Sequence, residues 1–97
     1  MELLKKRFEK DSNLVARKVI DEMILVPVTN KVYDLESAYV LDEVGARVWE
    51  LIDGQRSIED IKNVLLDEYA SDEKQIEEDV CGFISQLEKL GGIKEIV

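Results

Sequence analysis

Apolar positions along the chain follow two patterns that meet near residue 42. Up to that point they come in short clusters rich in β-branched side chains. Val15–Ile20 (VARKVI) alternates imperfectly and predicts a strand. Met23–Val28 (MILVPV) is a continuous apolar run of strand length, which predicts a central strand covered on at least one face. Pro27 lacks an N–H, so it belongs near a strand end or on an unpaired side. Asn30 and Asp34 favour turns within Thr29–Glu36, with Val32-Tyr33 as an extension of the hairpin. Ser37–Leu41 predicts a third strand, and strands joined this closely pair antiparallel. Ahead of them, residues 1–13 have only Leu3, Leu4 and Phe8 as apolar anchors. They read as a short amphipathic helix or, in preference, a loosely held N-terminal arm, on a single domain over 14–97.

From Asp42 onward the spacing becomes helical. Val44, Val48, Leu51 and Ile52, with Trp49 beside them, predict a helix from about Glu43 to Asp53. Asp42 is a good N-cap, and Gly54 suits a left-handed stop. Ser57 with Asp60 forms an approximate capping box for a second helix, about Ile58 to Tyr69, with Ile58, Ile61, Val64 and Leu65 inward. Ser71 or Asp72 caps a third, about Glu73 to Leu90, whose stripe is Ile76, Val80, Phe83, Ile84, Leu87 and Leu90. Gly91-Gly92 ends it, and Ile93–Val97 is a short tail able to form a strand. The predicted fold class is α+β: a three-stranded antiparallel sheet followed by three helices.

Within this frame Leu41, Asp42, Gly45, Val48, Trp49, Leu51, Ile52, Asp53 and Gly54 stand in a characteristic order, ahead of a polar-capped helix. The run resembles the PqqD family. Its members include the peptide chaperone of pyrroloquinoline quinone synthesis and the leader-binding recognition elements of ribosomally synthesised, post-translationally modified peptides. Asp79-Val80, Phe83-Ile84, Leu87 and Gly91-Gly92-Ile93 are similar to the family's last helix and its end, so the resemblance covers roughly Val15 to Ile93. Asp42 stands where the family often has asparagine, and Thr29–Glu36 is somewhat long. The resemblance implies a winged helix-turn-helix-like architecture. It also implies that a leader peptide binds as an added strand against the third strand and the last helix. Carried onto this chain, those positions are Ser37, Ala38, Tyr39, Val40 and Leu41 on the strand, and Val80, Phe83, Ile84 and Leu87 on the helix.

The residues themselves offer little catalytic chemistry. The 97-residue chain has no histidine, which removes the commonest general base and zinc ligand at neutral pH. Its one cysteine, Cys81, has no apparent activating base and reads as a packing residue. One cysteine, with no signal peptide and no membrane-length apolar run, points to the cytoplasm and away from membranes. The net charge of −9 is uneven, with +2 over residues 1–33 and −11 over 34–97. Such a helical half repels phosphate backbones, so nucleic acid is a poor partner and a basic peptide or protein face a better one. Asp72, Glu73, Glu77, Glu78 and Asp79 read as a solvated helix face rather than a weak divalent site. Trp49 reads as a core anchor, whereas Tyr39 is open between packing and peptide contact. No cofactor or metal is implied.

A strand edge is a template for another strand. If Ser37–Leu41 lies at an edge beside the last helix, the two form a groove for an extended peptide. The expected function is a non-catalytic module. It would capture a precursor's leader peptide and present it to a maturation enzyme, either a radical SAM enzyme or a peptidase. The alternatives are a winged-helix transcriptional regulator and a protein–protein interaction domain. An open edge also permits a homodimer. On this reading Tyr39→Pro removes an edge N–H.

Overall fold

The structure, a computed structural model, describes residues 2–96. It is a mixed α+β fold with antiparallel sheets. In chain order the elements are α1 (Glu2–Lys5), β1 (Arg7–Lys10), β2 (Leu14–Val19), β3 (Glu22–Thr29), β4 (Val32–Tyr33) and a 3-10 turn (Leu35–Ser37). Then come β5 (Tyr39–Leu41), α2 (Glu43–Leu51), α3 (Ile58–Glu68), α4 (Glu73–Lys89) and β6 (Ile93–Ile96). The expected strands and helices fall on β2, β3, β5 and α2, α3, α4, but the sheet is not three-stranded: β4 makes it four-stranded, and β1 with β6 forms a second, two-stranded sheet. Among the described residues no helix is long and apolar enough to cross a membrane.

Strand β3 is the centre of the main sheet. β2 pairs along one side of it, from Leu14 opposite Pro27 to Val19 opposite Glu22. Its other side is shared: β4 takes Val28 and Thr29, and β5 takes Met23, Ile24 and Leu25. Pro27 falls between those two stretches, where no strand asks its nitrogen for a proton. Asn30 and Lys31 both adopt positive φ, 52° and 65°, which is the two-residue turn whose twist suits a hairpin.

Residues 7–10 are not a loose arm. β1 pairs with β6 from Arg7 opposite Ile96 to Lys10 opposite Ile93. Its other side is tied to the α2–α3 connection, where the Gly54 and Ile58 N–H groups donate to the Phe8 and Lys6 carbonyls at 2.9 and 3.0 Å. Phe8 is 1% exposed and belongs to the main core. A polar strand with one inward side chain leaves almost no periodic signal, and its partner lies at the opposite end of the chain.

The helix termini follow local chemistry. The Asp42 carboxylate accepts from the Gly45 N–H at 2.7 Å, Ser57 and Asp60 form a reciprocal capping box, and Asp72 accepts from the Gln75 N–H. α4 ends with the Gly92 N–H on the Leu87 carbonyl and the Gly91 N–H on the Glu88 carbonyl, with Gly91 at φ 73°. This is the paired closure that favours glycine. Gly92 has a second reason, since a Cβ there would overlap the Leu14 side chain. The stop therefore also seats the end of α4 against β2.

The core joins Leu14 and Leu25 from the sheet to the inward faces of α2, α3 and α4. Trp49 is part of it, 4% exposed, with Lys10 Nζ 5.1 Å from its ring centre. Glu73 and Glu77 are more than a solvated face: both hold the buried Lys62 ammonium, at 3.2 and 3.3 Å. The Glu73 and Glu77 carboxylates hold its pKa above the ordinary lysine value, although burial opposes them.

Candidate functional site

Which peptide groups face the free edge of β5 follows from the hydrogen-bond phase of the sheet. The Val28 N–H donates to the Asn13 carbonyl at 2.8 Å, so Val28, and by alternation Val26 and Ile24, point their peptide groups towards β2. Leu25 and Met23 then point theirs towards β5. The Asp34 N–H on the Pro27 carbonyl, 2.8 Å, confirms the phase. In β5 the partners of Leu25 and Met23 are Tyr39 and Leu41, whose peptide groups are spent on the ladder. Val40, opposite Ile24, turns its N–H and C=O to the open side. The edge N–H is thus that of Val40, not Tyr39. Tyr39→Pro would break the sheet itself.

Side chains alternate with the backbone. Tyr39 and Leu41 turn to the core side and are half-buried, while Val40 is 61% exposed on the outer face. Beside them α4 completes a cleft of about 250 Å³. Leu25, Tyr39 and Leu41 form the sheet side of the cleft. Phe83, Gln86, Leu87 and Leu90 form the helix side, with Asp42 and Gly45 at the end where β5 turns into α2.

Of the residues singled out from the sequence, the fold brings Tyr39, Val40, Leu41, Phe83 and Leu87 together. Val80 and Ile84 do not line the cleft. Both are fully buried, because α2 and α3 cover that side of α4. Ser37 and Ala38 lie in and after the 3-10 turn. Their N–H groups are spent on the Asp34 carboxylate at 3.2 Å and the Leu35 carbonyl at 3.4 Å. Gln86, Leu90 and Gly45 were not foreseen as lining. Helical spacing from Phe83 to Gln86 and Leu90 was the available signal, with the polar Gln86 hiding it.

The main sheet has a second open edge, β2, and the two differ in chemistry. Ala16 and Lys18 present the outward peptide groups there, and Arg17-Lys18 place charge along the strand, a common guard against unwanted pairing. Residues 38–41 carry no charge at all. Cys81 is half-buried on α4, and burial pushes its thiol above the ordinary value, towards the unreactive protonated form.

Comparison with known proteins bears on the same region. Among solved structures the chain is similar to TbiB1 in complex with the TbiA(beta) leader peptide, with a TM-score of 0.70 at 24% identity. The similarity covers 89% of this chain and 94% of that one, and shows a shared fold. The curated proteins offered no match. The profile of the family described as Coenzyme PQQ synthesis protein D (PqqD) matches residues 30–93. That match runs from the β3–β4 turn to the start of β6 and takes in β5 and α4, so the chain belongs to the PqqD family.

Proposed function

We propose that this chain is a non-catalytic peptide-binding module, which captures the leader of a precursor peptide as an added strand on β5 and presents it to a maturation enzyme. One observation carries the reading: Val40 offers an unspent N–H and C=O on an uncharged edge, directly beside an apolar cleft walled by α4. Main-chain hydrogen bonds would supply affinity there, and alternate side chains entering the cleft would supply specificity. The likeness to TbiB1, solved with a leader peptide, supports the same occupant. Ordering a flexible leader costs about 2–5 kcal/mol, so the edge and the cleft must act together.

The order of β2, β3 and β5 followed by α2, α3 and α4 supports a winged-helix-like arrangement. A DNA-reading role is disfavoured by charge, because α4 carries Glu73, Glu77, Glu78 and Asp79. The enzyme served would be a radical SAM enzyme or a peptidase, in the cytoplasm. A second copy pairing through β5 would compete with the peptide.

The test is binding of leader peptides from precursors encoded beside the gene, followed by fluorescence anisotropy. Micromolar or tighter binding is expected. Val40→Pro, which spares the ladder to β3, should weaken it at least about tenfold by removing the edge donor. A folded Val40→Pro protein that binds as well as the parent would sink the proposal.

A further inference from the structure

A second chamber adjoins the apolar cleft. Beyond Leu41, where the chain turns through Asp42 into α2, a space of about 330 Å³ opens between α2 and α4. Asp42, Gly45, Phe83 and Gln86 line both spaces, so the two adjoin, with Phe83 between them. Val44, Val48 and Phe83 give the second chamber an apolar wall, and Gly82 forms its helical side.

Gly82 stands in the middle of α4, where glycine is unfavourable. Packing does not require it: a Cβ built there meets no heavy atom within 4 Å. The bare backbone instead keeps the chamber open, as where a ligand approaches a helix closely. Glu78 and Asp79 stand on the rim; Asp79 accepts a hydrogen bond from the Gln75 amide at 2.9 Å, and among the described residues no basic side chain pairs with either.

We propose that this chamber receives a lysine or arginine of the peptide held on β5, a step that rests on the strand-addition reading. Groove-facing side chains of an extended guest alternate, so the basic residue is the next one on that face after the residue seated in the apolar cleft. Its aliphatic stem would lie along Val44 and Phe83, over Gly82, and its cationic end would reach Glu78 and Asp79. Bare helix and apolar wall suit the stem, and two carboxylates with no cation paired to them suit its charged end.

The probe is a phage-displayed library of random linear peptides, panned at low salt on the full chain. A recovered sequence is then made synthetically for anisotropy. Recovered peptides should share an apolar residue with lysine or arginine two positions away. Gly82→Leu, which fills the chamber, should weaken such a peptide about tenfold or more. The same variant should leave unchanged a control peptide whose basic residue is alanine. Glu78→Gln with Asp79→Asn should flatten the salt dependence of binding. Peptides that are lost with Val40→Pro yet show no basic preference, or tolerate Gly82→Leu, overturn the chamber and leave strand addition standing. Peptides indifferent to Val40→Pro overturn strand addition and this inference with it.

Discussion

Replacing Gly82 by alanine should make the protein more stable, and the size of the gain can be worked out. Position 82 lies inside a helix of 17 residues, far from either cap. In a helix interior alanine is favoured over glycine by about 0.8–1.0 kcal/mol, mainly because the unfolded chain loses freedom. The new methyl meets no atom within 4 Å, so neither a clash nor a packing gain alters that figure. For a chain of 97 residues the unfolding entropy near the midpoint is about 0.2 kcal/mol per kelvin, so the melting temperature should rise by about 4–5 °C. Far-UV circular dichroism during heating reads this directly, and urea unfolding should show a higher midpoint at unchanged slope. Gly92→Ala is the opposing control. Its Cβ would overlap Leu14 Cδ1 and lie 2.9 Å from Leu14 Cγ, so its midpoint should fall. A Gly82→Ala protein that melts at or below the parent temperature would refute the reasoning. Gly82 would then serve the fold, and the case for a chamber kept open over bare helix would weaken.

Phe8→Ala should cost about 3–5 kcal/mol in urea unfolding, because the ring is buried against the main core rather than carried on a free arm. An unchanged midpoint would detach β1 from the cooperative unit. Acid should destabilise the protein through three carboxylates held below their ordinary values. Asp53 is held mainly by the Arg56 N–H, Asp60 by the Ser57 N–H, and Glu68 by the Arg47 guanidinium at 2.7–2.8 Å. Their folded pKa values lie below the unfolded ones, so their contribution is complete above the usual carboxylate range and is lost as pH falls through and below it. The urea midpoint should therefore decline between about pH 5 and about pH 3. A midpoint that climbs over that interval would refute this account.

Local chemistry was legible in the sequence. The caps at Asp42 and at Ser57 with Asp60 were readable, and the third was narrowed to Ser71 or Asp72, because each acts within about one turn of itself; the missing N–H of Pro27 limited it to a strand end or an unpaired side. Helical spacing located the buried face of α4, and the charge count argued against a nucleic-acid partner. Pairings between distant parts of the chain were decided only in the tertiary structure. β1 needed β6 from the other end before its one buried ring had a meaning. Periodicity names a helix face but not the depth at which neighbours bury it. Val80 and Ile84 therefore vanished into the core, while Phe83 and Gln86 remained at the cleft. The open N–H is Val40's rather than Tyr39's for the same reason. A strand's alternation is local, but which half of it faces outward is set by the register of the strand beside it.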